Sequence, residues 1–142
     1  MAVALPALST APAVAQEQGG AIEQEVREVV NQFRAALGSG DSTTVVNLLH
    51  AEARIYEGGH AETREEYRSG HLLSDMAFLQ AVRSETTWDL VVPGEALGLY
   101  MSERRTVGEY RGREIDSRNT ETIVLVSTPQ GWRIRHIHWS SR

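Results

Sequence analysis

The sequence places histidines close to one another and to carboxylates, and two of these pairs have a spacing suited to a shared site. His71 and Asp75 are four residues apart in a predicted helix, where a carboxylate can hold an imidazole in one tautomer for general-base catalysis. His136 and His138 are two residues apart in a predicted strand, so both rings should point to the same face of a sheet. We predict these four residues as a catalytic set for proton transfer. The alternative is a solvated helix pair and two surface histidines.

The residue types that the chain lacks exclude several kinds of catalytic and metal-binding groups. The chain has no cysteine, and all 14 basic residues are arginines. Thiolate nucleophiles, disulfides, thiolate metal sites and Schiff bases are therefore excluded. Catalysis would rest on histidine, carboxylate or hydroxyl groups, and we expect no cofactor.

A metal site is the main alternative for the histidines. His60 is two residues from Glu62, and with the two pairs above it supplies nitrogen and oxygen donors suited to zinc or copper. The sequence therefore leaves open a metal-binding protein that uses His60, His71, His136 and His138.

Helical periodicity dominates the first half of the chain. Apolar residues at helical spacing predict an amphipathic helix over residues 21–37, and Asp41 is a natural N-cap for a second, short helix. A strand is expected over residues 53–57, followed by a Gly58-Gly59 turn and a polar loop that carries His60 and Glu62. Thr63 and Glu66 fit the capping box of a third helix that ends near Gln80.

After about residue 82 the hydrophobic period changes from 3.6 to 2, which predicts four sequential antiparallel strands over residues 84–92, 97–110, 114–127 and 133–140. Strict alternation places Trp132, Ile134, His136, His138 and Ser140 on one face of the last strand. In the second of these strands one face carries Tyr100 and Arg104, whereas Leu97, Leu99 and Met101 share the other. We predict that the first face lines a partly polar cavity and that the second forms a dimer contact. The residues predicted to contact a ligand are His60, Glu62, Tyr67, Trp88, Tyr100, Arg104 and Glu121.

Composition and charge favour one globular domain that binds neither nucleic acid nor an anionic membrane surface. The chain has 142 residues, 41% of them hydrophobic, and a net charge of −5. Residues 1–15 end in Ala13-Val14-Ala15 and resemble the end of a secretory signal peptide. We therefore expect residues 16–20 to be a flexible tail, residues 21–142 to form the mature domain without membrane insertion, and the protein to be exported to the periplasm or secreted.

Two pieces of the chain carry a family resemblance. The opening helix ends in Gly-Ser-Gly-Asp, and the last strand reads Trp-x-Ile-x-His-x-His-Trp-Ser. With the order helix, helix, strand, helix and long antiparallel strands, residues 21–142 resemble the nuclear transport factor 2-like superfamily, which includes SnoaL-like and ketosteroid isomerase-like proteins. The resemblance implies an α+β cone in which three N-terminal helices pack on a strongly curved antiparallel β-sheet, and commonly a homodimer paired through the sheet.

The resemblance leaves the activity open. We find no residue-by-residue match to the Tyr, protonated Asp and Asp base of ketosteroid isomerases. His71, Asp75, His136 and His138 are similar in kind to the inward histidines and carboxylate of scytalone dehydratase-like members. We therefore expect a pocket for a small organic ligand with isomerase or dehydratase chemistry. The alternatives are a non-catalytic dimeric ligand-binding or interaction module and the metal-binding protein.

Overall fold

The computed structural model of the protein describes residues 11–142. Four helices, α1 Ala11–Ser39, α2 Ser42–Leu48, α3 Arg64–Ser69 and α4 His71–Ala81, cover one face of a six-stranded sheet. Asp41 caps α2 by accepting a hydrogen bond from the Thr44 amide at 3.0 Å, and Thr63 opens α3 with the predicted capping box to Glu66. The α+β architecture is confirmed.

The beginning of α1 differs from the prediction. Residues 16–20 were expected to be a flexible tail, but they are part of the helix, since after Pro12 no proline interrupts the chain and Ala, Gln and Glu favour helix. Residues 1–10 of the expected export segment lie outside the described residues, so export stays a prediction. Within residues 11–142, no helix is long and apolar enough to cross a membrane.

The expected third helix is divided into α3 and α4 at Gly70. The glycine has φ −120° and ψ −95°, and a Cβ atom there would lie 2.9 Å from the Glu66 carbonyl oxygen. Only glycine fits this bend without a clash. The structure therefore has four helices where three were predicted, and the bend sets the direction of α4 independently of α3.

The six strands are β1 Leu49–Glu57, β2 His60–Thr63, β3 Val82–Val92, β4 Leu97–Tyr110, β5 Arg113–Thr128 and β6 Gly131–Ser141. Their order in the sheet is β2-β1-β6-β5-β4-β3. The pairings from β3 to β6 are antiparallel, as predicted, but β1 pairs with β6 in parallel, so the prediction of an entirely antiparallel sheet is wrong for this pair. A parallel neighbour is possible because a long connection separates the two strands. The expected polar loop at His60 is a short strand paired with β1.

A bulge in β6 overturns the predicted alternation of that strand. Val124 of β5 pairs with His136, but Leu125 pairs with Ile134, which leaves Arg135 without a partner. One extra residue reverses the faces of all residues that follow it. Ile134 and Ile137, three residues apart, are therefore both fully buried on the inner face.

Helix α1 contacts the inner face of the sheet at Gly98 of β4. A Cβ atom at Gly98 would lie 2.9 Å from a methyl group of Val26 and 3.6 Å from the Trp132 ring. The absence of a side chain lets helix and sheet approach closely, and this contact forms the apolar end of the core. The core continues through the inward residues Val30, Phe33, Leu37, Val91, Tyr100, Ile123, Leu125, Ile134 and Ile137.

Candidate active site

A cavity of about 260 Å³ lies between α1, α4 and the inner face of the sheet. Its wall is apolar on the helix side and polar on the sheet side. This combination is typical of sites for small organic molecules. The lining residues are Phe33, Arg34, Leu37, Gly38, Glu57, Asp75, Phe78, Leu79, Ser84, Arg104, Thr106, Asn119, Glu121, Trp139, Ser140 and Ser141.

The polarity of the sheet side follows from the strand register. Cross-strand partners form rows across the inner face, and each row is more polar than the one before it. The first is Val91, Tyr100, Ile123 and Ile137, the second is Asp89, Ser102, Glu121, Trp139 and Glu57, and the third is Thr86, Arg104, Asn119 and Ser141. The cavity therefore begins where the apolar core ends.

The innermost polar group is Glu121, which is 7% exposed. One carboxylate oxygen accepts hydrogen bonds from the Arg34 guanidinium and from Ser102 Oγ, the latter at 3.1 Å. The other accepts from Trp139 Nε1 at 2.6 Å. Arg34 also donates to the Tyr100 hydroxyl at 3.0 Å. Three donors, one of them the cationic Arg34, compensate the burial of this carboxylate.

A second carboxyl group, Asp75 of α4, lines the cavity from the helix side. Its Oδ2 accepts a hydrogen bond from the Tyr67 hydroxyl at 2.8 Å. Burial raises the pKa of Asp75 above its ordinary value, against the opposing effects of the Tyr67 hydrogen bond and the His71 charge. Burial also raises the pKa of Glu57, and the negative charge of Asp75 raises it further. Each of these two carboxyl groups therefore takes up a proton more readily than usual, and both lie in the cavity wall, where a proton can be exchanged with a ligand.

The predicted residues separate into those that reach the cavity and those that do not. Asp75, Arg104 and Glu121 line it. Tyr67 and Tyr100 lie behind the wall, where their hydroxyls hold Asp75 and Arg34. Burial raises the pKa of both tyrosines, so they stay protonated and act as hydrogen-bond partners.

The predicted convergence of His136 and His138 with His71 is wrong. Because of the β6 bulge, the two strand histidines lie on the outer face of the sheet, where the rings contact Tyr56 with centroids 4.7 and 6.2 Å away. His136 Nδ1 lies 3.0 Å from the Arg54 carbonyl oxygen. Both histidines therefore occupy the opposite face from the cavity.

The remaining predicted residues lie outside the cavity wall. His71 is half-exposed, and its Nδ1 lies 2.8 Å from Glu62 Oε2, so its direct partner is Glu62 and not Asp75. This contact raises the pKa of His71. The His60 ring lies 6.5 Å from the His71 ring. Trp88 is exposed on the outer side of β3, since a bulge between Thr86 and Trp88 shifts the alternation, and it forms no cavity wall.

The metal alternative finds no support in the described part of the chain. Across residues 11–142, no three histidine, aspartate or glutamate side chains come together in a way that could hold a metal ion. Two of the three sequence pairs meet, since His71 Nδ1 lies 2.8 Å from Glu62 Oε2, but His136 and His138 lie on the outer face of the sheet against Tyr56. The cavity therefore offers proton-transfer groups and no metal ligand set.

Comparisons with known proteins identify the family of this fold. A candidate ketosteroid isomerase from Shewanella frigidimarina is 38% identical, and the match covers 80% of this chain and 92% of that one with a TM-score of 0.77. The chain belongs to the nuclear transport factor 2-like superfamily. No family model matches the sequence, and no curated protein is significantly similar to it.

More distant members of the superfamily share the fold. A candidate dehydratase of the nuclear transport factor 2-like family from Streptomyces avermitilis is 17% identical, covering 86% of this chain and 97% of that one with a TM-score of 0.75. The CaMKII hub of S. rosetta is also 17% identical, covering 84% and 95% with a TM-score of 0.73. At this identity the likeness establishes the fold alone.

The sequence analysis missed three charged or carboxamide residues of the cavity wall. Arg34 was assigned to the polar face of α1, although it points into the space between helix and sheet. Glu57 shares a strand face with the buried Ala53 and Ile55, so alternation was the signal that could have found it. Asn119 is the register partner of Arg104, which only the pairing of β4 with β5 reveals.

Proposed function

We propose that this nuclear transport factor 2-like protein binds a small organic molecule in the cavity and moves a proton on it, as an isomerase or a dehydratase. Asp75 is the acid–base residue in this proposal. The observation that carries it is a carboxyl group in the cavity wall whose pKa burial raises and whose Oδ2 is fixed by the Tyr67 hydroxyl. The candidate ketosteroid isomerase that is 38% identical to this chain supports the same class of chemistry.

The two oxygens of Asp75 have different tasks in this mechanism. Oδ2 holds the Tyr67 hydroxyl, so Oδ1 is left to take a proton from a carbon next to a ligand carbonyl. A raised pKa makes the carboxylate a stronger base and keeps it able to return the proton. Glu57, whose pKa is raised as well, supplies a second site for the proton. Isomerisation returns the proton to another carbon, and dehydration delivers it to a leaving hydroxyl.

One assay covers both reactions. A β,γ-unsaturated ketone that isomerises and a β-hydroxy ketone that loses water both give a conjugated enone, which absorbs in the ultraviolet. We would test a panel of small ketones of both kinds, with and without a carboxylate, against the full chain. Asp75→Asn should lower the rate of enone formation at least 100-fold, a loss within the ordinary contribution of about 10²- to 10⁴-fold from one acid–base group.

The matched control is Asp116→Asn, which makes the same change at an exposed position on the outer face of β5. It should leave the rate unchanged. Equal rates for the unaltered protein and Asp75→Asn on every active ketone would contradict the proposed role of Asp75. No enone from any ketone, with saturable binding retained, would favour the alternative of a non-catalytic ligand-binding module.

We also propose that the protein is a homodimer that pairs through the outer face of the sheet. Trp88, Leu90, Val92 and Leu97 are 42–53% exposed on neighbouring strands, which is a contiguous apolar surface on the side away from the helices. Burial in an interface would remove this surface from water. The sequence prediction of a dimer contact rested on the same face of β4.

Leu99→Arg tests the dimer, because Leu99 pairs with Val92 and Val124 at the centre of that face. Light scattering should give twice the monomer mass for the unaltered protein and the monomer mass for the variant. Leu73→Arg, at a 70% exposed leucine of α4, is the control and should stay dimeric. A monomeric unaltered protein at high micromolar concentration would contradict the proposal.

A further inference from the structure

Two arginines line the cavity, and they differ in their partners. Arg34 is paired with the buried carboxylate of Glu121. Arg104 contacts no carboxylate within residues 11–142, and residues 1–10 contain no aspartate or glutamate. The cavity wall thus contains one guanidinium whose charge has no direct counter-ion.

The hydrogen bonds of Arg104 go to neutral oxygens only. Its Nε donates to Ser84 Oγ at 3.1 Å, its Nη2 to the Ser84 carbonyl oxygen at 3.0 Å and its Nη1 to Thr86 Oγ1 at 2.7 Å. A guanidinium has five N–H donors, so two remain available. Burial lowers the pKa of Arg104 and the nearby positive charge of Arg34 lowers it further, while the Glu121 carboxylate, already paired with Arg34, offsets these effects only in part. A negative charge on a ligand would relieve both effects.

The neighbours of Arg104 add donors at the same place. Asn119 is its cross-strand partner on β5, and Ser141 of β6 is the next residue in that row. The Asn119 side-chain oxygen accepts a hydrogen bond from the Thr106 hydroxyl at 2.8 Å. This contact fixes the orientation of the carboxamide and leaves its NH₂ group without a partner among the described residues. Arg104 and Asn119 therefore present free N–H groups side by side on the cavity wall.

The other side of the cavity has the opposite charge. Asp75 and Glu57 would repel an anionic group, whereas Phe33, Leu37 and Phe78 offer apolar contact between the two ends. A ligand with one negative end would therefore lie in a single orientation, with its charge at Arg104 and its other end toward Asp75.

We propose that the cavity takes a small organic acid whose carboxylate is bound by Arg104 and Asn119. The inference rests on the proposed function only in making this acid the substrate, since binding itself needs no catalysis. An arginine fork matches the two oxygens of a carboxylate, and an uncharged ligand of the same shape would leave the guanidinium without a counter-ion.

The test compares two probes of nearly the same shape, 3-phenylpropanoate and 3-phenylpropanamide, by isothermal titration calorimetry on the full chain. The carboxylate should bind at least tenfold more tightly than the amide. Arg104→Gln should reduce this preference to less than threefold. Arg105→Gln, the same change at the next residue on the outer face, should leave the preference intact. Equal binding of both probes, binding of neither, or an unchanged preference in Arg104→Gln would overturn the proposal.

Two further variants keep the outcomes distinct. Arg104→Lys retains the positive charge without the planar guanidinium, so it should keep part of the preference for the carboxylate. If Arg104→Gln does not fold, a full preference in Arg104→Lys would overturn the proposed role of the guanidinium. Asp75→Asn should keep the full preference for the carboxylate. If Asp75→Asn also retains enone formation while the preference persists, the proposed catalysis fails and the organic-acid site stands. If the preference is absent while enone formation depends on Asp75, the proposed organic-acid site fails and the proposed catalysis stands.

Discussion

Replacing Glu121 with glutamine should remove a large part of the stability of the protein. The glutamine side chain has the same shape, but the two oxygens of Glu121 face only donors: Arg34 and Ser102 on one side and Trp139 Nε1 on the other. In either orientation the new NH₂ group meets a donor, and the Arg34 charge loses its partner in a site where Glu121 is 7% exposed. Breaking a buried pair by removing one charge costs about 3–5 kcal/mol. For a domain of this size that loss corresponds to a decrease of about 10–20 °C in melting temperature.

The assay is urea denaturation followed by tryptophan fluorescence, with thermal unfolding as a second measure. The singles Glu121→Leu and Arg34→Met should each be destabilised, and the double variant should lose less than the sum of the two, because it leaves no unpaired charge buried. A loss under about 1 kcal/mol in Glu121→Gln, or strictly additive losses in the cycle, would refute the reasoning, since exposed pairs behave in that way.

The chain offers a control for this experiment in an ion pair on the outer face of the same sheet. Arg105 of β4 donates twice to Asp116 of β5, at 2.9 Å each, and both side chains are more than half exposed on the outer face. Asp116→Asn should leave the melting temperature nearly unchanged, because solvent screens both charges.

Three further predictions follow from the same contacts. Asp75→Asn should raise the melting temperature at pH 7 but not at pH 4. Folding raises the pKa of this carboxyl, so the group favours the folded state below its unfolded pKa and loses that contribution as the pH rises through its folded pKa. NMR titration of His71 should give a pKa above the ordinary value of 6.5, and Glu62→Gln should bring the pKa back toward that value. The stabilisation from the contact between His71 and Glu62 is complete below the unfolded pKa of His71 and is lost as the pH rises through its folded pKa. Gly98→Val should lower the melting temperature strongly in thermal unfolding, because a side chain at Gly98 collides with Val26, whereas Gly20→Ala, at a helical position with open space around it, should not lower it.

The fold was predictable because long elements carry strong periodic signals. The capping box at Thr63 and the strand Leu97–Tyr110 agree with the structure in detail. The division of the third helix at Gly70 and the parallel pairing of β1 with β6 were not predictable in this way. The first depends on one residue within a helical pattern, and the second on contacts between segments about 80 residues apart.

The site was harder to predict because it depends on single-residue shifts of strand register. The bulge at Arg135 moves His136 and His138 to the outer face, although both keep the spacing that pointed to a shared site. Asp75, Arg104 and Glu121, which the sequence singled out, do line the cavity, and their roles there stay predictions. Arg34 was missed because a long side chain on the edge of a helix face can turn toward either the solvent or the sheet.

The most direct test of the proposed acid–base role follows one group by two methods. The Asp75 carboxyl carbon can be titrated by ¹³C NMR, and kcat/KM for enone formation can be measured over the same pH range. We predict that the pKa of Asp75 lies above the ordinary value of 3.8 and that the rate rises with pH through that same pKa, since the ionised carboxylate is the base. A rate that is independent of pH across the titration of Asp75, or that persists unchanged in Asp75→Asn, would contradict the proposed mechanism.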